Sequence, residues 1–206
     1  YLLVGPTEVG KRTCALLVAA ALLGTSYEKI GLHPDFVLVE RLVDEKSGKR
    51  KRDITVEQAR DLKRRLSTSS WGARARVVVV DGADTLNEEA SNALLKMLEE
   101  PSGRSYFFLI VEHEERVMPT VRSRSHIVHF GLVSGEECRR GFGERFTKTS
   151  IEPYVSYGRP GRIVRILEDE SERAIDERYR AWWQLLNKEP WYVQSRAIEE
   201  WLGKGE

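Results

Sequence analysis

The chain reads as an α/β fold with a mostly parallel sheet, followed by a helical tail. Three observations predict it. Apolar, β-branched runs alternate with helical stretches as far as Gly131; a "GPTEVGK" turn joins the first strand pattern to the first helix pattern; and strand signals stop after Gly131. Strands separated by helices need crossover connections, which make neighbouring strands parallel and leave ligand sites at their carboxyl ends.

The elements follow in order. Tyr1 to Val4 is a short buried strand, Gly5 to Gly10 a turn, and Lys11 to Leu23 a helix rich in Ala and Leu. "DFVLVE", Asp35 to Glu40, alternates as a strand, whereas "DEKSGKRKRD", Asp44 to Asp53, is polar and predicts an exposed loop. Thr55 and Gln58 have the spacing of a capping box and open a helix to about Leu66. Val77 to Val80 is a buried strand that ends on Asp81. Asn87 caps the next helix, which runs through Glu99 and stops before Pro101. "SYFFLIVE" and "HIVHF" are the remaining strands. Beyond them, Ser134 to Phe146, Pro160 to Glu168 and Glu170 to Leu186 read as helices, the last with Ile175, Tyr179, Trp182 and Leu186 on one face. "WYVQSRAIEEWL" reads as one more short helix. These patterns divide the chain into an α/β domain over 1–131 and helical segments over 132–168 and 169–206.

Composition sets limits. With 206 residues, 41% hydrophobic and 32% charged, the chain can bury one good core and leave material for a smaller unit. A net charge of +1 gives no global attraction to a polyanion, so any such contact would be local. Cys14 and Cys138, the two cysteines, form no spacing motif, which predicts a reduced, cytoplasmic protein without disulfides or zinc. The longest apolar run, "CALLVAAALLG", is about half of a membrane span, so no membrane partner is expected. The opening "YLLV" has neither an initiator Met nor a basic leader region, and is read as a trimmed or incomplete N-terminus.

The chemistry concentrates in "GPTEVGK". Gly5 and Gly10 free the backbone to curl its amides around phosphates, the following helix adds its positive end, and Lys11 supplies a point charge. This pattern calls for ATP, which such loops commonly bind together with Mg²⁺. One position departs from it. The residue after the Lys, which normally offers a metal-binding hydroxyl, is Arg12, and a hydroxyl arrives one place late at Thr13. A helical step of about 100° separates the two side chains, so Thr13 replaces the missing hydroxyl only with a local shift. Asp81, at the end of the "VVVV" strand, is suited to hold Mg²⁺ through water. The alternative is that Asp81 or Asp84 merely caps the following turn. "KSGKRKR", Lys46 to Arg52, gathers five positive charges without interleaved aromatics and reads first as a solvated tip rather than a phosphate patch.

The stretch "VVVVDGADTLNEEASNALLKMLEEPSGRSYFFLIVEHEERVMPTVRSRS" resembles the central part of bacterial sliding-clamp loader subunits, a family of AAA+ ATPases. "NALLKMLEEP" and "PTVRSRS" are specific to those loaders, and "GKRT", "HPDF", "DITVEQAR" and "GRPGRI" match their delta-prime branch better than their motor branch. The resemblance covers about residues 1–168. It implies an AAA+ domain over 1–131, a helical lid over 132–168 and the start of an oligomerisation collar over 169–206. It also implies partnership with other loader subunits in a hetero-pentamer, with the sliding clamp, and with primer-template DNA through the assembly. Arg124 corresponds to the arginine finger that acts on a neighbour's ATP, and Ser125 replaces a Cys usual beside it. Arg162 lies one place beyond the second sensor position, which here is Gly161.

Other departures point one way. Gly82 stands where motor subunits carry a catalytic Glu, Val111 where they carry a polar sensor, and "GTSYEKIGL" lacks the family's frequent four-cysteine module. Loss of a water-positioning base alone lowers rates by ~10²- to 10⁴-fold. The resemblance therefore implies a DNA polymerase III stator subunit of weak or no ATPase activity that contributes Arg124 in trans. Two alternatives stay open: a gamma/tau-like motor ATPase using Thr13 and another base, and a stand-alone nucleotide-binding regulator.

Overall fold

The computed structural model describes residues 1–67, 75–101, 103–143, 157–175 and 177–178, and the chain divides into two compact units, Tyr1–Leu132 and Val133–Glu206. The first unit is a five-stranded sheet in the order β2-β3-β4-β1-β5, with every neighbouring pair parallel. Its strands are β1 (Leu2–Val4), β2 (Phe36–Glu40), β3 (Arg76–Asp81), β4 (Ser105–Val111) and β5 (Ile127–His129). The crossovers carry α1 (Lys11–Leu23), α2 (Val56–Ser67), α3 (Glu88–Glu99) and the short α4 (Pro119–Arg122).

The sequence pattern explains why the sheet is covered on both faces. Val77 and Val79 belong to a core cluster with Ala15, Ala19, Phe108 and Ile110, while Val78 and Val80 join Leu62, Leu66, Leu94 and Met97 in another. Side chains alternate across a strand, so one continuous valine run feeds both cores. Each of these four valines is 0–1% exposed, and burying such a side chain contributes roughly 1.5–3 kcal/mol. On α1 the buried positions facing the sheet are the small Ala15, Ala19 and Ala20, which let the helix lie close to it. The helix stops at Gly24, which adopts φ 66° and closes the end with bonds to the carbonyls of Ala20 and Ala21.

Sequence periodicity located these strands and helices to within a residue or two but missed the short pieces. Short 3-10 segments occupy Tyr27–Leu32, Ala83–Thr85 and Glu114–Arg116, and α4 is a single turn. Such turns are too short to show a period. The polar stretch after Val43 is exposed as expected, yet it is ordered as a tight hairpin. Val43 bridges Arg50, and the Asp44 carboxylate accepts the amides of Lys46 and Ser47. At the start of α2, Gln58 Oε1 accepts the Thr55 amide at 3.2 Å, while Gln58 Nε2 donates to the Glu40 carbonyl at 2.9 Å.

In the second unit, α5 (Gly135–Phe142) opens on a full capping box between Ser134 and Glu137 and closes at Gly143; the remainder of the stretch expected to reach Phe146 lies outside the described residues. It is followed by α6 (Pro160–Glu168), and Cys138, Ile163 and Ile166 form a small core. Most of the helix expected from Glu170 to Leu186, and all of "WYVQSRAIEEWL", lie outside the described residues. Among the described residues no helix is long and apolar enough to cross a membrane.

Candidate phosphate-loop site

The loop Gly5–Gly10 leaves β1 and delivers the chain into α1 at the carboxyl edge of the sheet. Its two glycines serve different needs. A Cβ on Gly5 would lie 2.2 Å from the backbone oxygen of Phe130, so this glycine lets the chain just past β5 come within contact of the loop. Gly10 instead has φ 99° with nothing within 4 Å of a would-be Cβ, so its requirement is purely conformational and the space beside it is open. Glu8 also adopts a positive φ, 63°. The loop thus holds two left-handed residues within three positions, Glu8 and Gly10.

Lys11 is buried, and its ammonium donates to the Gly5 and Pro6 carbonyls at 2.5 Å each. Burial lowers its pKa from the ordinary lysine value, and the opposing pull of Glu112, Asp81 and Asp84 does not cancel the effect. Two of its three donors are spent on the loop itself, which leaves one for a ligand.

Arg12 sets the character of the site. Its Nη1 donates to Glu40 Oε2 at 2.6 Å and to Asp81 Oδ2 at 2.7 Å. The fold brings these acids together because Glu40 and Asp81 are register partners on the adjacent parallel strands β2 and β3. Both carboxylates therefore project from the same sheet edge, and the first turn of α1 lays Arg12 across them. Burial pulls the guanidinium pKa down, but its bonds to Glu40 and Asp81 outweigh that and raise it. Asp81, expected at a metal, has its carboxylate engaged by a side chain of its own chain. Thr13, expected as the late hydroxyl, is exposed on α1.

The neighbouring positions also resolve. Asp84 does not cap the turn beside it but ties in a remote segment: its Oδ2 accepts the amides of Glu112 and His113 at 3.2 Å each, just past β4. Gly82 has φ 88° and ψ 42°, a left-handed conformation that costs an ordinary residue ~1–2 kcal/mol. A Cβ there would also stand 3.3 Å from Thr85 Oγ1. Val111, in the place of a polar sensor, is 1% exposed and belongs to the hydrophobic core.

Arg124 follows α4 and is held by other residues. Its Nη2 pairs with Glu99 Oε1 at 2.7 Å, and its Nη1 donates to the Thr120 carbonyl at 3.1 Å. Its side chain remains 42% exposed. Arg122 has a different setting: it pairs with Glu114 at 2.5 Å, and its Nε is buried without a hydrogen-bond partner. Ser125 donates its hydroxyl to the Val121 carbonyl at 2.8 Å. Arg162 stands in the second unit, with its guanidinium carbon 5.6 Å from the Tyr157 ring centroid. The structure thus gathers Gly5, Gly10, Lys11, Arg12 and Asp81 in one place within the first unit. It adds Glu40 and Glu99, to which the sequence had assigned no role. Glu40 carried the same signal as Asp81, a carboxylate closing an apolar strand.

A family model described as "DNA polymerase III, delta subunit" matches residues 1–133. The chain belongs to this family. Its curated relatives include delta-prime subunits, alongside gamma/tau subunits and a replication factor C subunit. The DNA polymerase III subunit delta' of Pseudomonas aeruginosa is 39% identical over 139 residues, covering 60% of this chain and 40% of the relative. That of Escherichia coli K12 is 28% identical over 180 residues, covering 85% and 52%. The chain spans about half the length of these relatives. Among solved structures, a DNA polymerase III gamma subunit-related protein from Thermotoga maritima superposes with a TM-score of 0.60 at 16% identity, covering 100% of this chain and 68% of that one. That likeness speaks to the fold alone. The expected delta-prime-like membership and the α/β fold with a parallel sheet are both borne out.

Proposed function

We propose that this delta-prime-like chain acts as a stator in a sliding-clamp loader, working with other loader subunits to open the clamp and set it on primed DNA. In this reading residues 1–131 are the AAA+ domain, 132–168 the lid and 169–206 the beginning of the collar. The observation that carries it is the capture of Asp81 by Arg12. The carboxylate that a motor would use to hold its metal is bonded to a guanidinium, and the next residue, Gly82, has a backbone suited to glycine. Gly5, Gly10 and Lys11 remain to receive phosphates, but hydrolysis is weak or absent.

The active contribution is Arg124, offered in trans to a neighbour's ATP. Its support is physical. The guanidinium is exposed, oriented by Glu99 and Thr120, and held by a surface ion pair of the kind that contributes only ~0–1 kcal/mol. Exchanging Glu99 for a phosphate of the adjoining subunit therefore costs little, while a planar guanidinium matches the charge that develops during phosphoryl transfer.

The test is a reconstituted loader carrying Arg124→Ala. Arginine fingers are worth roughly 10³- to 10⁵-fold at the site they serve, so one partner site should fall silent while the subunit still co-purifies. An unchanged partner ATPase would overturn the finger. Turnover by this chain alone, abolished by Lys11→Ala, would instead favour the motor reading. Failure to associate with any loader subunit would favour the stand-alone regulator.

A further inference from the structure

The chemistry around Asp81 does not fit Mg²⁺. That ion demands a near-octahedral oxygen shell and is held in phosphate-loop proteins by a hydroxyl and a carboxylate together. Here the hydroxyl position is Arg12, Thr13 is exposed, and the carboxylate accepts a charge-assisted bond at 2.7 Å. Among the described residues, no group of three or more His, Cys, Asp or Glu is placed to hold a metal ion. To admit the ion, Arg12 would have to leave both Asp81 and Glu40.

We propose that Arg12 is the resident cation of this site: the guanidinium holds the metal's place, and the loop receives nucleotide phosphates without Mg²⁺. This deepens the reading of Gly5–Lys11 as a phosphate loop and rests on it. Both bonds from Arg12 use Nη1, and its side chain is 40% exposed. Its Nη2 and Nε therefore keep donors for a phosphate, the second charge beside Lys11. Glu40 and Asp81 fix the guanidinium from behind, so it serves as a preorganised contact rather than a flexible one. Glu40 becomes a positioning residue, since it reaches the ligand only through Arg12.

The experiment titrates the whole chain with fluorescent N-methylanthraniloyl-ATP in Mg²⁺ and in EDTA, and repeats both with Arg12→Ser. The wild-type dissociation constant should agree within about twofold between the two buffers. In Arg12→Ser the freed carboxylate and new hydroxyl form a metal site, so EDTA should weaken binding by roughly ten- to a hundredfold, the worth of one charge-assisted contact. Electron paramagnetic resonance with Mn²⁺ gives a second readout, with an added protein-bound Mn²⁺ in the variant and none in wild type. Arg12→Lys, which keeps the charge, guards against misfolding of the serine variant and should bind more weakly but equally in both buffers. Loss of tenfold or more in wild-type affinity on adding EDTA would overturn the proposal. Absence of binding in either buffer would overturn it together with the phosphate-loop reading, yet leave the Arg124 finger standing, because the partner's ATPase reports that separately.

Discussion

Replacing Gly5 by Ala tests how the loop is anchored. The new Cβ would lie 2.2 Å from the Phe130 oxygen and 3.1 Å from both its carbonyl carbon and its Cβ. The obstacle is backbone and cannot rotate away, so the loop and the chain after β5 must part by about an ångström. The bond at risk is the Phe130 amide to the Val4 carbonyl, now 2.7 Å, which extends the β1–β5 ladder. An unmade bond of this kind costs about 1–3 kcal/mol, and displaced neighbours add to it. Removing glycine's freedom in the unfolded chain returns ~0.4–1 kcal/mol, which leaves a net loss of ~2 kcal/mol. Gly10→Ala meets no atom within 4 Å and faces only left-handed strain of ~1–2 kcal/mol, less the same return, so it should lose under ~1 kcal/mol. Urea unfolding followed by circular dichroism separates the two. With a slope of roughly 1–3 kcal/mol per molar, Gly5→Ala should lower the midpoint by about a molar and Gly10→Ala by clearly less. Hydrogen exchange should show faster opening at residues 2–4 and 127–130 only in Gly5→Ala. Equal midpoints for the two variants would refute the argument.

Three further outcomes are expected. Gly82→Glu should destabilise by ~1–2 kcal/mol through its left-handed backbone and add no phosphate release, because Asp81 stays bonded to Arg12; a clear rise in turnover would show that a missing base was the only defect. Lys11 has a lowered pKa in the free protein, and a phosphate binds its charged form. Affinity should therefore decline with rising pH before the ordinary lysine range is reached, with proton uptake visible by calorimetry in buffers of different ionisation enthalpy; a flat profile up to the ordinary lysine range would contradict the burial argument. Glu99→Gln should change stability by less than ~1 kcal/mol, since the pair with Arg124 is exposed, and a larger loss in thermal unfolding would mean the pair holds α3 and α4 together.

Local sequence determined much of this protein. The valine run, the strand-turn-helix around "GPTEVGK" and the cap at Asn87 announce themselves because hydrophobic period, turn chemistry and capping act over a few residues. Delta-prime-like membership was legible for the same reason, as contiguous motifs. Tertiary structure decided what those motifs could do. That Arg12 meets Glu40 and Asp81 depends on the register of β2 against β3, and no local pattern states which strands become neighbours. Asp81 and Asp84 looked interchangeable in sequence, and only the end of β4 told them apart by giving Asp84 two amides to accept. Gly5 looked like a phosphate-loop glycine, but its strictest constraint comes from Phe130, remote in sequence and adjacent in space. The physical reason is the same in each case: covalent neighbours set what a segment prefers, while the charge and space around a side chain are set by segments that only folding brings beside it.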